Sequence, residues 1–410
     1  MDEMNEVEVF DRLSSVQRPM VTSRRLRHAV VLGGSIAGLL AARVLADHAE
    51  EVVVVEGRTG GVPQATQIHT LLPGGQAQIE RWFPGFTEQA VAAGAVLSQP
   101  HEVERWANDV RAVDTPNSVL LTQSRDLLEA VLRRRTFATG NVRSVAASAT
   151  GLTYENGRVT GVLAGRTLPA DFVVDAMGRG SGLAGWLERD GWESPKLERK
   201  RIDVNYATAR FARAGSTTTG VAVARYSPGY PKRTQAAASA IEDGQWMLML
   251  ATYGAERPPR DLDGFLARCA DLPPVFGRIA AEEPIGDIKP YGMPDARRLR
   301  YDRLRRHPAG LVSVGDAVAS FDPIYGQGMT SAALHASCLS EYLCGPATST
   351  GTFFDLQKVI VDATWEFPVP PEIARAAVVD EWVGTRFNDV TFMLAHPATL
   401  AALEAAGQLQ

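Results

Sequence analysis

The residues of this chain that are best suited to chemistry lie in two short glycine-rich segments far apart in the sequence. In the later segment, the apolar run 311–314 leads into Gly315-Asp316, and a proline and the turn Gly-Gln-Gly at 326–328 follow. A carboxylate at the end of a buried strand can accept hydrogen bonds from sugar-alcohol hydroxyls, and glycines let backbone N–H groups approach a ring or a phosphate. This segment predicts a ligand that has a polyhydroxyl chain and a flat ring.

The earlier segment, GGSIAG at 33–38, resembles the G-x-G-x-x-G fingerprint of dinucleotide-binding turns but has Ser35 in place of the middle glycine. Gly33 allows the tight turn, Gly34 eases the approach of the ligand, and Gly38 lets the following helix pack closely on the strand. The Ser35 hydroxyl can itself bond a phosphate oxygen at the helix N-terminus. Glu56 ends the next apolar strand, about 20 residues further on, where a carboxylate can accept the adenosine ribose hydroxyls. The two segments together predict FAD, because NAD lacks the ribityl chain.

A second glycine cluster, 178–185, also contains a literal G-x-G-x-x-G and follows an apolar strand that ends at Asp175. One interpretation is an independent NAD(P)H site. Such a site requires a strand with a ribose-binding acid about 20 residues later, but charged residues such as Glu198 and Arg199 stand there instead. We therefore interpret the cluster as a turn that packs near the same cofactor.

Hydrophobic spacing predicts the elements that position these motifs. His28–Leu32 and Val52–Val55 are short apolar strands, and Ile36–Asp47 between them has helical spacing, which makes a βαβ unit. From about residue 200 the pattern alternates with period two, and the turn residues at 242–244 predict a hairpin. We expect an α/β fold that has a Rossmann-like FAD-binding domain of the glutathione-reductase type, an inserted antiparallel β-sheet for substrate, and a helical C-terminal tail.

The same pattern divides the chain into four parts. These are an N-terminal arm at 1–27, a loose helix or disordered tail; a discontinuous FAD-binding domain at 28–199 plus 290–345; a substrate-binding sheet at 200–289; and a helical segment at 346–410 with a break at Pro368, Pro370 and Pro371. We predict these boundaries from the changes in composition and in the spacing of hydrophobic residues.

Composition narrows the function classes. With 410 residues and a net charge of −5, the chain can enclose a cofactor and lacks the basic surplus typical of nucleic-acid binding. The three cysteines are widely spaced without a CxxC, so we expect neither a disulfide framework nor a metal site. No secretory signal pattern is evident, and glycines interrupt the apolar stretch 28–46, so we expect a cytoplasmic protein without a membrane segment.

Five segments together resemble one group of flavoenzymes. They are VVLGGSIAGLLAARVL (30–45), GVPQATQIHTLLPGG (61–75), SRDLLEAVLR (124–133), VVDAMGRGS (173–181) and LVSVGDAVASFDPIYGQGMTSAAL (311–334). The set is similar to the FAD-dependent monooxygenases of the p-hydroxybenzoate hydroxylase superfamily, and closest to the bacterial branch that includes polyether epoxidases. The last segment is the most specific of the five.

The resemblance implies a role for each motif. The first would hold the ADP half, Arg125 would bond phosphate or ribose, Asp316 would bond the ribityl chain, and 323–329 would lie along the isoalloxazine. By its residues alone, Arg125 is an ordinary surface arginine at the start of a helix. Thr330 stands where the family has Asn, which leaves that flavin contact open. The implied cofactor-binding residues are Gly33, Gly34, Ser35, Gly38, Glu56, Arg125, Gly315, Asp316, Pro323, Gly326, Gln327, Gly328 and Met329.

The resemblance also implies the chemistry. Reduced flavin would take up O2 at C4a, and the resulting hydroperoxide would deliver one oxygen atom in an epoxidation or a hydroxylation, so no catalytic side chain is required. His69 lies in a matched loop near the ring, whereas we expect His335 to be a packed or capping histidine. The electrons would come from NADPH or NADH, either directly or through a separate flavin reductase.

We expect the substrate pocket between the 200–289 sheet and the flavin. Alternation puts Trp246 and Met249 on opposite faces of one strand, and the sequence leaves open which face meets the pocket. Few basic residues occur in this region, which favours a hydrophobic polyketide-like or aromatic secondary metabolite, as in antibiotic biosynthesis, over a small acid. The candidate substrate-binding residues are Tyr206, Trp246, Met249, Tyr291 and Phe321.

Two other functions are compatible with the motifs. A flavin-dependent reductase of the geranylgeranyl-reductase type shares the Gly-Asp motif, although its glycine turn tends to carry an acid where this chain has Gln327. A non-catalytic flavin-binding module is the second alternative. A flavin halogenase is disfavoured because its W-x-W-x-I-P motif is absent.

Overall fold

The structure is a computed structural model that describes residues 5–57, 64–215, 217–346, 349–367 and 370–405. The strands in the described residues are β1 Leu26–Leu32, β2 Ala49–Glu56, β3 Val96–Ser98, β4 Val103–Ala107, β5 Val110–Arg111, β6 Leu120–Thr122, β7 Val142–Ala146, β8 Gly151–Glu155, β9 Arg158–Ala164, β10 Arg166–Pro169, β11 Phe172–Asp175, β12 Leu197–Ala212, β13 Val221–Arg225, β14 Gln235–Ile241, β15 Gln245–Tyr253, β16 Pro284–Leu299, β17 Leu311–Ser313 and β18 Ala319–Ser320.

The α-helices of the described residues follow the same chain order. They are α1 Glu6–Ser14, α2 Ile36–His48, α3 Pro73–Trp82, α4 Phe86–Ala92, α5 Arg125–Phe137, α6 Leu183–Arg189, α7 Leu262–Ala270, α8 Pro274–Ala280, α9 Gly328–Cys344, α10 Thr350–Glu366, α11 Pro371–Val379, α12 Glu381–Thr391 and α13 Ala398–Ala405.

A five-stranded parallel sheet in the order β17-β11-β1-β2-β7 forms the centre of the α/β part. Its strands are short apolar runs such as Val52–Val55, which are buried among helices such as α2 and the three-stranded sheet β10-β9-β8. The helix α2 connects β1 to β2 and is buried on nearly every side. The predicted βαβ unit is therefore confirmed, and both segments that carry the cofactor motifs lie at the carboxyl ends of strands of this sheet.

A second sheet of eight strands has the order β18-β16-β12-β15-β14-β13-β4-β5 and is antiparallel except where β13 pairs with β4. The predicted antiparallel sheet is present. It also takes in strands from outside 200–289, namely β4, β5 and β18, and the long strands β12 and β16 extend beyond both limits. The division of the chain into domains stays a prediction.

The two faces of this sheet pack against different partners. One face forms a core with α7 and α8 that includes Phe211, Trp246 and Phe276. The opposite face carries Tyr206, Met249 and Met293, which pack with side chains from the loops around residues 68 and 324. Residues alternate between the two environments because successive side chains of a strand point to opposite faces.

Helices lie near both ends of the described chain. Helix α1 buries Phe10 and Leu13 in the main core, so the described part of the N-terminal arm contains an ordered, packed helix. The alanine-rich C-terminal part forms α10 to α13, which confirms the predicted helical tail. The predicted break lies between Glu366 and Pro371, and Pro371 begins α11, a position that suits a residue without an N–H. Pro368 lies outside the described residues.

The predicted hairpin turn is present. The Asn156-Gly157 turn joins β8 to β9 with positive φ at both residues, as a two-residue hairpin requires. None of the helices in the described parts of the chain is both long and apolar enough to span a bilayer.

Candidate active site

The turn between β1 and α2 is too tight for any side chain at its two flanking glycines. Gly33 has φ of +103°, and a Cβ there would lie 2.4 Å from the carbonyl oxygen of Ala176. A Cβ on Gly38 would lie 1.9 Å from the carbonyl oxygen of Gly33. The turn therefore brings the beginning of α2 directly against β1 and β11, which is the role expected of these glycines.

The N-terminus of α2 is open to an anion. Its first-turn N–H groups have no intrahelical acceptors, and the N-cap residue Ser35 makes no capping bond with its side chain. No acidic residue lies in the first turn of α2. An open helix N-terminus combined with close backbone approach suits a diphosphate.

Helix α5 reaches this turn with charged side chains. Arg125 is mostly buried, donates from Nη2 to the Ser35 hydroxyl at 2.9 Å and donates from Nε to Glu129 at 2.7 Å. The Ser35 hydroxyl donates in turn to Glu129 Oε1 at 2.6 Å. Arg125 is thus buried beside the β1–α2 turn and is not a surface arginine, whereas the Ser35 hydroxyl hydrogen is already engaged by protein.

Glu56 is also held by α5. Arg133 forms a two-pronged ion pair with the Glu56 carboxylate at 2.7 and 2.9 Å and donates to the carbonyl oxygen of Gly34 at 2.9 Å. Sequence reasoning missed Glu129 and Arg133. The signal was available, because Arg125, Glu129 and Arg133 are spaced four residues apart and so share one face of a helix.

The Gly315-Asp316 turn lies between the beginning of α2 and the N-terminal half of α9. A Cβ on Gly315 would lie 2.6 Å from Ala37 Cβ and 3.8 Å from Ala332 Cβ, so both helices approach this glycine. The N-terminus of α9, like that of α2, has no side-chain cap and no acid in its first turn. The two motifs predicted from sequence are therefore neighbours in space.

Asp316 is a carboxylate available to a ligand. Burial raises its pKa, and the nearby charges of Arg125, Arg179 and Arg297 lower it. Across the described ranges, no side chain or backbone group donates a hydrogen bond to its carboxylate. A carboxylate held among cations with unused lone pairs is the group needed to accept hydroxyl hydrogens from a polyhydroxyl chain.

Two buried groups fix the backbone around Asp316. The Gly315 N–H donates to His335 Nδ1 at 2.9 Å, and burial lowers the pKa of His335 to about 3, so the ring is a neutral acceptor. Asp175 accepts hydrogen bonds from Ser181 Oγ at 2.6 Å and from the Met177 N–H at 3.0 Å. Burial raises the pKa of Asp175 to about 6. His335 is the capping residue that the sequence predicts, and the 178–180 turn packs beside the Gly315 turn.

The segment after Asp316 presents backbone rather than side chains. Asp322 caps the turn at Pro323 by accepting the Ile324 N–H at 3.1 Å and also accepts the Tyr253 hydroxyl at 3.0 Å. The buried Gln327 side chain donates to the Thr391 carbonyl oxygen at 3.1 Å, so it anchors α12. Gly326, Gly328 and Met329 lie half-buried along the same segment.

No family model matches the chain. Protein Rv3254 of Mycobacterium tuberculosis (strain ATCC 25618 / H37Rv) is 34% identical to it over 406 residues, which cover 92% of this chain and 82% of that protein. The chain belongs to the family of Protein Rv3254. This assignment rests on sequence identity along nearly the whole chain.

Solved structures show which fold this member of the Rv3254 family has. A mutant of 2-methyl-3-hydroxypyridine-5-carboxylic acid oxygenase has a TM-score of 0.66 at 19% identity and covers 92% of this chain and 98% of that one. A mutant of PqsL from P. aeruginosa has 0.65 at 18%, with 89% and 99% covered. The flavin-dependent brominase Bmp2 has 0.64 at 16%, with 93% and 100% covered. The chain shares the fold of these three proteins.

The predicted substrate residues separate into two groups. Tyr206 and Tyr291 stack with ring centroids 6.3 Å apart, and Met249 packs with them on the face that meets Ile68 and Ile324. Trp246 is fully buried on the opposite face, between the sheet and helices α7 and α8, so it is removed from the candidate pocket.

Phe321 and the charge of the pocket also need correction. Phe321 packs in the main core rather than with the tyrosines. A cleft of about 210 Å³ is lined by Tyr206 and Tyr291, and Arg257 and Arg260 lie at the same cleft. The expectation of few basic groups in this region is therefore wrong for the cleft, although the face that carries Met249 is apolar.

His69 is a neutral member of the loop that approaches the sheet. Its Nδ1 lies 2.8 Å from the carbonyl oxygen of Gln67, and burial lowers its pKa to about 4. Gln67 accepts the Thr208 hydroxyl at 2.6 Å, which fastens this loop to β12. Residues 61–63 of the predicted loop lie outside the described residues.

Proposed function

We propose that this chain binds FAD between the β1–α2 turn and the segment from Gly315 to Met329 and uses it as a monooxygenase. One observation carries the proposal: the uncapped N-terminus of α2 lies against Gly315, which also packs on α9 at Ala332 and His335, beside the Asp316 carboxylate that no described protein group donates to. A diphosphate needs the first feature and a ribityl chain needs the second.

The residues present fit the cofactor. Ser35, Arg125 and the N–H groups of α2 would hold the diphosphate, and Glu56 would accept the ribose hydroxyls. Asp316 would accept those of the ribityl chain, and the backbone from Pro323 to Gly328 would lie along the ring. Bound and reduced, FAD supplies the activation of O2 that amino-acid side chains cannot supply. Gly33 and Gly38 contribute by allowing the tight turn, and Gly34 contributes by leaving room for the Glu56 carboxylate.

The chain itself would bind the substrate and exclude water. Tyr206 is buried, and in the described structure its hydroxyl has no hydrogen-bond partner. Burial raises the pKa of Tyr206, so the phenol keeps its proton and can donate to an acceptor atom of a substrate. Met249, Met293 and the loop residues Ile68 and Ile324 provide apolar walls. These walls favour a hydrophobic aromatic or polyketide-like metabolite, which would be epoxidised or hydroxylated, with its hydrogen-bond acceptor towards the cleft that Arg257 and Arg260 also line.

The reductant would be NADPH or NADH, which reaches the flavin directly or through a separate flavin reductase. A cytoplasmic location would fit the three cysteines, which are all unpaired in the structure. Antibiotic or other secondary metabolism remains the expected context, given the apolar pocket.

Reduction kinetics and isotope labelling test this function together. The purified protein, loaded with FAD, is mixed anaerobically with NADPH or NADH in a stopped-flow instrument, and a panel of hydrophobic aromatic compounds is then oxidised under oxygen-18 gas. We expect flavin bleaching that a substrate accelerates, and one labelled oxygen atom in the product. A product without label would exclude oxygen insertion and favour the reductase alternative.

A further inference from the structure

Three charged residues form a ladder on α5 that faces the start of α2. Arg125, Glu129 and Arg133 follow one another at four-residue spacing, and all three contact the β1–α2 turn or the end of β2. Arg125 and Glu129 also pair with each other within the helix, with both side chains largely buried. The ladder therefore places one carboxylate and two guanidinium groups along the predicted ADP half of the cofactor.

Glu129 sits where an anion is most favoured. Its Oε1 atom alone accepts from the Ser35 hydroxyl at 2.6 Å and from Arg125 Nε at 2.7 Å. Ser35 is the N-cap of α2, so the carboxylate lies beside the positive end of that helix. Hydrogen bonds to an ionised carboxylate are about twice as strong as neutral ones. The contacts that a phosphate group would make to Ser35 and Arg125 are thus made here by a side chain of the protein.

We propose that Glu129 is an internal stand-in for the diphosphate. It holds Ser35 and Arg125 in the cofactor-free chain, and it has to release them, or share them at the cost of like-charge repulsion, when FAD binds. This competition lowers the affinity of the chain for FAD, so that bound FAD exchanges with free FAD in solution. This inference rests on the proposed function, because it concerns the same cofactor.

Two features of the site argue against a purely structural role for Glu129. Glu56 already has its own partner in Arg133, so Glu129 is not needed to neutralise that arginine. Glu129 Oε2 receives no hydrogen bond from the described residues, so the carboxylate keeps acceptor capacity that the protein does not use. His69, another titratable group near Arg125 and Glu129, is held neutral by burial, and Arg133, the next cation along α5, is already paired with Glu56.

Ligand titration of E129Q tests the proposal. Gln keeps the size and one acceptor oxygen but removes the charge. Flavin fluorescence gives the Kd for FAD, and calorimetry gives the Kd for ADP and for adenosine. We expect E129Q to bind FAD and ADP about tenfold more tightly than the natural chain, from the loss of one like charge near the diphosphate, and to bind adenosine equally well. FAD should also dissociate more slowly from E129Q in a stopped-flow chase.

The matched control is D126N. Asp126 is an exposed acid in the first turn of the same helix, so this variant removes the same charge without touching Ser35 or Arg125. Its Kd for FAD should stay within about twofold of the natural value, as expected of a screened surface charge. Should E129Q fail to fold by circular dichroism, Glu129→Leu provides a second neutral replacement with the same expected tightening.

The possible outcomes distinguish the role of Glu129 from the binding of FAD itself. Unchanged or weaker binding of FAD by E129Q would overturn the stand-in role and assign Glu129 to holding Arg125 in place. Tightening for adenosine as strong as for ADP would overturn it too, because adenosine carries no phosphate. Failure of the natural chain to bind either FAD or ADP would overturn the proposed cofactor, and the inference with it.

Discussion

Replacement of Gly38 by alanine should damage the fold at the start of α2. A Cβ at this position would lie 1.9 Å from the Gly33 carbonyl oxygen, whereas real contacts keep roughly 3 Å, so the turn would have to open by about 1 Å. Gly33 cannot yield easily, because its own left-handed φ of +103° is fixed by the close approach to Ala176. Overpacking of this kind costs about 1–3 kcal/mol, or more where backbone is the obstacle.

Helix propensity acts in the opposite direction, which makes a matched control informative. Alanine is more favourable than glycine inside a helix by about 1 kcal/mol. Gly185 in α6 has a helical backbone with open space around its Cβ position. Gly185→Ala should therefore raise the free energy of unfolding by about 0.5–1 kcal/mol, while Gly38→Ala should lower it by about 1–2 kcal/mol net.

Urea denaturation of the three proteins, followed by circular dichroism, measures both changes. The Gly38→Ala protein should in addition bind FAD at least about tenfold more weakly, since the shifted turn carries the N–H groups at the start of α2. If Gly38→Ala were as stable as the natural chain and bound FAD equally, the close packing of α2 on β1 would be wrong.

Three further predictions address other groups at the site. Glu56→Gln should weaken FAD binding about tenfold by removing the charge of a ribose acceptor. The control Glu51→Gln changes an acid on the same strand that pairs with Arg143 of β7, and it should leave the fluorescence titration unchanged; equal Kd values for the natural chain and both variants would remove Glu56 from the site. Tyr206→Phe should keep or raise the free energy of unfolding in urea, because the lost hydroxyl has no described partner. Tyr253→Phe should lower the free energy of unfolding by about 1 kcal/mol, because it removes the hydrogen bond to Asp322. A larger decrease for Tyr206→Phe than for Tyr253→Phe would contradict this. Burial lowers the pKa of His335 to about 3, so the unfolded chain takes up a proton at this ring at higher pH than the folded chain, and the free energy of unfolding should fall as pH drops from about 6.5 towards 3. In His335→Gln the slope of the free energy of unfolding against pH should be smaller by up to about 1.4 kcal/mol per pH unit. An identical slope would show that this ring does not stay neutral.

Local signals made much of the fold predictable. The Gly33 turn, the helix after it and the strand that ends at Glu56 depend on residues close in sequence, and so does the hairpin at Asn156-Gly157. The spacing of apolar residues distinguished helices from strands, and the turn residues marked the connections between them. The same local character explains why the helical tail could be recognised from its composition.

Contacts between distant segments were not predictable. The face of β15 that meets the predicted pocket depends on where α7 and α8 pack, so the alternation around Trp246 and Met249 was predictable, but the packing of Trp246 against those helices was not. Gln327 lies in the segment predicted to follow the ring, yet its side chain donates to Thr391 in a helix formed much later in the chain. Pairing of β4 with β13 likewise joins segments that no local pattern connects.

The partners of the ADP site illustrate an intermediate case. The spacing of Arg125, Glu129 and Arg133 was visible in the sequence, but like spacing occurs on many solvated helices. Only the packing of α5 beside α2 shows that the ladder points to Ser35 and Glu56 rather than to water.

A titration of the purified protein with FAD shows whether this chain holds the cofactor. Flavin fluorescence and the visible spectrum are followed while FAD is added to the cofactor-stripped chain, with Asp316→Ala measured alongside. We expect saturation at one FAD per chain and weaker binding by the variant. A chain that remains colourless in excess FAD would contradict FAD binding between the β1–α2 turn and Asp316.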